Sequence, residues 1–546
     1  MAQSQPTGAA SGDGFLGPAS TVAGPRFNRW FVPPAALAVH LCIGMAYGFS
    51  VFWLPLSRAI GGKTALACPK APPLAELTNA LTTTPCDWTV ADLGWIYTLF
   101  FVVLGAAAAL FGPWVERNGP RRAGLVATIC WCGGMAVSAY GASIHQLWVM
   151  WLGSGLIGGI GLGLGYISPV STLVKWFPDR RGMATGMAIM GFGGGAMIGG
   201  PLADLLMKHF ASAGGGGVAP TLLTMAGLYL VFMLAGSLGY RTPPPGWAPR
   251  GWTPPADNPA ILARGYLDVG AAVATPQFWL LWIVLVMNVS ASIGIIGVAS
   301  PMLQEIFGGR LIHHAGLAFT KFAEADKKAA ATVGAAFVGL LSLFNIGGRF
   351  IWASLSDRIG RRWTYAVFFL LGGALYGLIV PWSAGAVALA AFLAAFCVIV
   401  SMYGGGFATV PAYLADLFGA RYVGAIHGVL LTAWSTAGVL GPQLVNNMRQ
   451  SAIDRGVPRA EIYTPIFWAL AAMLAVGFVA NLLIRPVNPS RLRADAAPVA
   501  AGAPVPGVDP TSHAVGPALI LAWLGVLTPI AWGVWITVTK AAALFN

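Results

Sequence analysis

Long apolar runs separated by short polar stretches recur along the whole chain. Each run holds 19–28 residues with few charges, and about 20 such residues are enough for a helix that crosses a membrane. The pattern predicts twelve spanning helices, at residues 32–56, 93–115, 123–142, 147–174, 183–206, 221–240, 278–302, 329–353, 363–381, 386–412, 426–445 and 466–484. A further run, 518–538, follows a Pro/Ala-rich stretch and predicts an extra C-terminal helix.

The first six runs and the next six share landmarks at one spacing. Paired positions lie 241 residues apart: Glu116-Arg117-x-Gly119 with Asp357-Arg358-x-Gly360, Phe177 with Phe418, and Pro201 with Pro442. Three coincidences at one offset indicate a six-helix unit duplicated in parallel. Two such halves, related by an axis along the membrane normal, place a site near the midplane between them.

These patterns predict an all-α membrane protein with six segments. They are a disordered cytoplasmic tail (1–30), an N-terminal six-helix bundle (31–240), a cytoplasmic linker (241–275), a C-terminal six-helix bundle (276–486), a second linker (487–516) and an additional transmembrane helix (517–546).

Composition agrees with a polytopic membrane protein. The chain is 57% hydrophobic and 9% charged, with a mean hydropathy of +0.73, a balance that excludes a soluble globular domain. The net charge of +13 indicates membrane topology rather than nucleic-acid binding. No metal-ligand spacing, phosphate loop or nucleophile motif is present, so we expect no enzyme activity, metal or cofactor.

Loop charges set the expected orientation. The loops after the second, fourth and eighth helices each carry a net charge of +2, and such loops face the cytoplasm. This places the N-terminus in the cytoplasm and the loop 61–91 outside. An external bacterial loop can be oxidised, so we predict a Cys68–Cys86 disulfide; two free thiols are the alternative.

One charge, Arg349, interrupts the apolar run 329–353. Asp357 follows eight residues later, about 12 Å along a helix. If Asp357 marks the membrane surface, Arg349 lies near the middle of a hydrocarbon core about 30 Å thick. An arginine there costs at least about 2.5–3.5 kcal/mol unless it faces protein or water. It is therefore either an anion-binding charge in a translocation pathway or an arginine that ties helices together through carbonyls.

Several segments resemble a known family. The residues Gly112, Glu116, Arg117 and Gly119, and again Asp357, Arg358, Gly360 and Arg361, resemble the signature loops of major facilitator transporters. The stretches 175–186 (KWFPDRRGMATG), 243–252 (PPPGWAPRGW) and 345–349 (NIGGR) are together similar to the oxalate/formate antiporter family, which is related to the monocarboxylate transporters. The similarity spans about residues 31–486. It implies the major facilitator fold and a multi-pass protein of the bacterial inner membrane, which we expect to be monomeric.

The resemblance also implies binding residues. The family's oxalate carrier uses an arginine in the eighth helix, matched by Arg349, and a lysine in the eleventh, where this chain has Trp434. One cation fits a monoanion better than a dianion, so a small monocarboxylate or a 2-oxo or hydroxy acid becomes a better expectation than oxalate. The family's aromatic cavity implies further substrate contacts at Tyr47, Tyr166, Phe192, Tyr403 and Phe407, with Asn345 orienting Arg349.

Three functions remain open. No acid lies in the middle of a predicted span, and His40 and His427 are the intramembrane titratable candidates. This favours exchange of small organic anions down their gradients. A proton-coupled monocarboxylate symporter and a membrane sensor that keeps the fold without transport are the alternatives.

Overall fold

A computed structural model describes residues 14–24, 26–61, 66, 81–82, 85–211, 217–244, 247–249, 252, 265–312, 314, 317, 319–379, 386–494 and 516–542. The membrane-length helices are α1 (Arg29–Leu56), α2 (Val90–Asn118), α3 (Pro120–Ser143), α4 (Leu147–Trp176), α5 (Arg181–His209), α6 (Val218–Gly239), α7 (Pro276–Ile296, continued as Ala299–Leu311), α8 (Glu324–Ile359), α9 (Arg361–Ala374, continued by a π-helical turn, Leu375–Ile379), α10 (Ala386–Phe418), α11 (Val423–Asp454), α12 (Tyr463–Leu483) and α13 (Pro517–Ala541).

The order of helices confirms the predicted fold class. Twelve described helices are long and apolar enough to cross a membrane, and they are all of these except α9. The described part of α9 ends at residue 379, inside the predicted ninth span. Short helices lie at Pro18–Thr21, Val269–Val273, Phe319–Lys321 and Pro489–Arg491, and one ribbon pairs β1 (Gly265–Tyr266) with β2 (Arg493–Ala494).

The helix α7 differs from its prediction. The seventh apolar run predicts one helix over 278–302, but the structure breaks it at Gly297–Val298 and resumes it to Leu311. Pro301 explains the break, because proline has no N–H to donate to the carbonyl four residues earlier. The resumed helix carries Glu305 into the protein interior, where the side chain is buried.

The N-terminal segment also differs from its prediction. Residues 14–24 were predicted as part of a disordered tail, yet Val22 pairs with Thr242, and Arg121 Nη1 donates to the Phe15 carbonyl at 2.8 Å. Arg121 is fully buried under this segment. A buried guanidinium needs acceptors, and the backbone of the N-terminal segment supplies one of them.

Two turns support the loops shared by the halves. The α2–α3 turn at Gly119 and the α8–α9 turn at Gly360 both have φ of 85°, a conformation that glycine adopts without steric cost. We call the end of the bundle with residues 116–122, 175–181 and 357–362 the signature-loop face. The halves meet there along two lines of contact, which we call the α2/α11 seam and the α5/α8 seam.

The helix α13 lies against both halves. Val526 packs with Leu37 and Leu41 of α1. Farther along, Gly533 lies against Ile198 of α5, and Thr537 lies beside Gly339 of α8. The extra helix therefore runs along the outside of the α5/α8 seam.

Candidate functional site

Arg349 is held between α8 and α5. Its side chain is buried, Nε donates to Asn345 Oδ1 at 3.0 Å, and Nη1 donates to the Ile189 carbonyl at 3.0 Å. A Cβ at Gly193 would lie 2.8 Å from Nε. The missing side chain in α5 therefore makes room for the guanidinium. Asn345, one turn earlier in α8, accepts the Nε hydrogen bond, and its role in orienting the guanidinium stays a prediction.

Among the described residues, the guanidinium has no acidic partner. Within the ranges that the structure describes, no aspartate or glutamate forms an ion pair with Arg349. A buried positive charge is costly without a counter-ion. The two bonds to Asn345 and Ile189 satisfy donors but do not neutralise the charge. The site is therefore suited to an anion that arrives from outside the protein.

Aromatic rings from both halves surround Arg349. The ring of Phe192 lies 6.0 Å and that of Phe407 lies 5.8 Å from the guanidinium carbon. Trp434 is the central ring, with centroid distances of 4.6 Å to Phe407, 5.1 Å to Phe101, 5.6 Å to Tyr166, 5.6 Å to Phe192 and 6.2 Å to Tyr47. Tyr403 extends the cluster through Phe407 at 5.4 Å.

All eight residues predicted to bind substrate thus lie in one cluster; their contact with substrate stays a prediction. Three of them have a buried polar atom without a hydrogen-bond partner among the described residues: Tyr47 Oη, Tyr166 Oη and Trp434 Nε1. Buried polar groups are normally paired. Donors near a cation, within an apolar wall, suit the oxygens of a small carboxylate.

The prediction missed Phe101 and did not place His40 in the site. His40 lies 5.4 Å from Tyr166 and 6.3 Å from Phe192, measured between ring centroids. It precedes Tyr47 by seven residues, which places both on one face of a helix. That spacing was the signal available in the sequence.

The acids of the signature loops reach into the opposite half. Asp357, at the end of α8, accepts hydrogen bonds from the backbone N–H groups of Gly182 and Met183 at 2.8 and 2.9 Å, at the start of α5. Glu116, at the end of α2, accepts from Gly424 N–H at 3.1 Å, at the start of α11. A carboxylate at a helix N-terminus is stabilised by its dipole. These contacts hold the signature-loop face closed.

Of the remaining signature residues, Gly112 contacts the opposite half, and the arginines contact residues of their own half or none of the described residues. Gly112 lies against Ala425 and allows α2 and α11 to approach closely. Arg361 pairs with Asp357 at 2.6 Å. The Arg117 Nε donates to Pro113 of its own helix. Arg358 forms no hydrogen bond or ion pair with the part of the chain that the structure describes.

The structure describes one of the two cysteines of the predicted disulfide. Cys86 is disulfide-bonded, and Cys68 lies outside the described residues, so their pairing stays a prediction. Beside it, burial alone raises the pKa of Asp87, but backbone N–H groups of Ile60, Leu66 and Gly61 outweigh burial and hold that pKa below its usual value. This anchor is present at neutral pH and is lost as the pH falls through the lowered pKa.

Comparison with known proteins agrees with this fold. The sequence model of the Major Facilitator Superfamily matches residues 36–442. The chain is 25% identical over 462 residues to the oxalate:formate antiporter of Oxalobacter formigenes, covering 84% of this chain and 94% of that protein. It is 27% identical over 435 residues to monocarboxylate transporter 11 of Homo sapiens, covering 78% of each.

A solved structure supports the fold. The crystal structure of the transporter FucP, in the outward conformation, matches with a TM-score of 0.55 and 15% identity, covering 84% of this chain and 100% of that one. These matches confirm the resemblance and the fold class predicted from the sequence.

Proposed function

Because the chain belongs to the Major Facilitator Superfamily, we propose that it is a secondary transporter of small organic anions of the formate, oxalate and monocarboxylate type. Transport proceeds by anion exchange with alternating access. The substrate carboxylate binds at Arg349, and the aromatic cluster around Trp434 excludes water and limits the size of the anion.

One observation carries this proposal: Arg349 is buried in the contact between the halves and has no acidic partner among the described residues. An arginine fork matches a carboxylate with two hydrogen bonds. A carboxylate bound there neutralises the charge while the halves move around it. Exchange follows because the unloaded carrier would have to reorient with an uncompensated buried charge.

Trp434 bears on the choice of anion. It fills the place where the related oxalate carrier is expected to have a lysine, and its ring packs on Phe407. With Arg349 as the permanent cation, a monocarboxylate leaves the loaded site neutral. We therefore propose formate, lactate or pyruvate as better substrates than oxalate at neutral pH.

The hydrogen bonds between the halves support an alternating mechanism. In the described part of the chain, they lie between the signature-loop face and the level of Arg349 and Ser435. Loss of those contacts opens that face. We propose that this face is cytoplasmic, with the N-terminus inside, in the inner membrane of a bacterium, and that the monomer is the transporting unit.

Exchange in proteoliposomes tests the proposal. Vesicles preloaded with formate, oxalate, lactate or pyruvate are given each labelled acid outside, with wild type, Arg349→Ala and Arg349→Lys. We expect trans-stimulated uptake in the wild type, none in Arg349→Ala, and a partial rate in Arg349→Lys, which keeps the charge without the fork. Gel filtration of each variant controls for folding.

Three results would contradict the proposal. Equal exchange by Arg349→Ala and wild type would make the arginine a structural tie between helices. No flux of any acid by folded wild type would favour a sensor that keeps the fold, and uptake that collapses with an uncoupler would favour proton symport.

A further inference from the structure

His40 lies between two carbonyl groups. Its Nδ1 is 2.6 Å from the Ala188 carbonyl of α5, and its Nε2 is 3.2 Å from the Tyr166 carbonyl of α4. The imidazole is fully buried. Both ring nitrogens therefore face hydrogen-bond acceptors, in a place that water does not reach.

This geometry has a chemical consequence. A neutral imidazole has one N–H donor and one bare nitrogen, whereas the imidazolium has two donors. Only the protonated ring satisfies both carbonyls, and the neutral ring leaves a lone pair pointing at an oxygen. Burial opposes the charge and the two acceptors favour it. The site is thus built to hold a proton without holding it permanently.

His40 and Arg349 are linked through α5. They contact the carbonyls of consecutive residues, Ala188 and Ile189, and both lie near the Phe192 ring. The charge of Arg349 acts on His40 and opposes a second positive charge. A bound anion beside them offsets that repulsion.

The other groups that face His40 are few. Tyr166 approaches from α4, with its hydroxyl unpartnered among the described residues. His427 approaches from α11, where its ring lies 5.8 Å from that of Tyr166. The helix α5 contributes carbonyls and the Phe192 ring. No acid takes part among the described groups, so the anion must supply the negative charge.

We propose that His40 is a proton-binding site that provides the second positive charge for a dicarboxylate. With His40 protonated, Arg349 and His40 together neutralise a dianion such as oxalate. With His40 neutral, Arg349 alone neutralises a monoanion such as formate. This inference rests on the proposed function and adds a rule by which pH selects the charge of the anion.

The charge balance of one exchange cycle follows. A dianion crosses together with one proton on His40, so the transported charge is −1. A monoanion returns while His40 is neutral, so the transported charge is again −1. Exchange of a dianion for a monoanion is therefore electroneutral and moves one proton with the dianion. By linkage, protonation of His40 raises the affinity for the dianion by the same factor by which the bound dianion raises the affinity of His40 for the proton.

The ratio of oxalate to formate exchange measures this directly. Proteoliposomes of wild type, His40→Gln and His427→Gln are assayed at pH 5.5 and pH 7.5, with pyranine inside to follow protons. We expect the wild-type ratio to rise at least about tenfold at pH 5.5, because two pH units change the protonated fraction of a histidine by up to about 100-fold. Oxalate entering against formate should acidify the lumen.

Variants of His40 and His427 distinguish the roles of the two histidines. His40→Gln keeps one donor but cannot gain a charge, so its ratio should be the same at both pH values and its proton signal absent. His427→Gln should keep the wild-type profile. As a variant with a permanent charge, His40→Lys should give a high ratio at both pH values.

Failure of the His40 proposal can be distinguished from failure of the proposed transport function. A His40→Gln ratio that still rises at low pH overturns the proton site, as does wild type that exchanges formate but never oxalate. Loss of both exchanges in folded wild type overturns the transporter proposal, and the proton site with it.

Discussion

The two seams between the halves use equivalent positions with different charges. At the α5/α8 seam, Asp357 binds two N–H groups of the opposite half. Asp416 also joins Arg181 of the N-terminal half to Arg361 of the C-terminal half, at 2.9 and 3.1 Å. At the α2/α11 seam, Glu116 binds one N–H of the opposite half, at Gly424. Its other partners, Lys175 at 2.5 Å and Ser171 at 2.8 Å, belong to its own half.

The 241-residue offset shows where the difference arises. Glu116 corresponds to Asp357, and Met183 corresponds to Gly424, so the acid-to-helix contact is repeated. Lys175, however, corresponds to Asp416. That one reversal of charge turns a local ion pair into a bridge between halves. The comparison teaches that the two seams are unequal, with the α2/α11 seam the weaker of the two.

The largest effects are expected from two glycine-to-alanine variants, which change the packing at each seam without changing its charges. A Cβ at Gly182 would overlap the Ala353 carbonyl across one seam, and a Cβ at Gly428 would overlap the Ala108 carbonyl across the other. Gly182→Ala and Gly428→Ala should each force the seam apart, at about 1–3 kcal/mol or more, and abolish exchange equally. Exchange in proteoliposomes measures this. A large difference between them would mean that packing, rather than charge, makes the seams unequal.

Asp357→Asn should have the next largest effect. It weakens two charged hydrogen bonds across the seam, to Gly182 and Met183, and the ion pair with Arg361 in its own half, worth about 2–3 kcal/mol in total. A cysteine replacing Thr185, which is fully buried beside the Ala408 carbonyl, should change from protected to labelled by a water-soluble maleimide. The four free cysteines of the helices (Cys42, Cys130, Cys132 and Cys397) are first replaced by alanine. Unchanged protection would show that the seam does not depend on this acid.

Glu116→Gln should have a smaller effect of the same kind. The variant weakens one contact between the halves, worth about 1 kcal/mol. This free energy corresponds to a roughly fivefold larger population of the conformation in which the seam is open. The matched reporter is a cysteine replacing Ala425, which is fully buried in the α2/α11 seam. Labelling that exceeds the Asp357→Asn result would reverse the predicted order of the seams.

Removal of α13 should have the smallest effect. The helix lies beside the α5/α8 seam, so a chain ending at residue 494 should show slightly more labelling at position 185 and none added at position 425. We expect exchange to persist and the midpoint of thermal unfolding to fall by a few degrees. Loss of exchange would instead make α13 part of the mechanism.

The sequence and the family resemblance named residues that lie in one cluster, but neither indicated the contacts between the halves. Arg349 was singled out because it is a charge within an apolar run, whereas Trp434 and the other aromatic residues were implied by the resemblance to the oxalate/formate antiporter family; their contact with substrate stays a prediction. The partners of Glu116 and Asp357 are backbone N–H groups, 308 and 175 residues away. A backbone N–H group leaves no mark in a sequence, so only the three-dimensional structure identifies it.

Glu305 shows a second limit of the sequence. The predicted seventh helix stopped at residue 302, which placed this acid in a loop. The structure buries Glu305 and pairs it with Arg449 at 2.5 Å, while Tyr463 Oη donates to it at 2.5 Å. Its partners lie 144 and 158 residues away, and they lower the cost of burial. Local pattern alone favours a loop wherever an acid ends an apolar run.

The extra helix α13 has a consequence for assembly. Only 17% of the most apolar stretch of α13 is buried inside the protein, so its contacts with Leu37, Ile198 and Gly339 are sparse. As a separate peptide, a helix with so little contact would be shared by mass action among many partners in the bilayer. Covalent attachment instead keeps the helix with the chain that carries it. Each transporter therefore carries its own copy, at a fixed ratio of one to one.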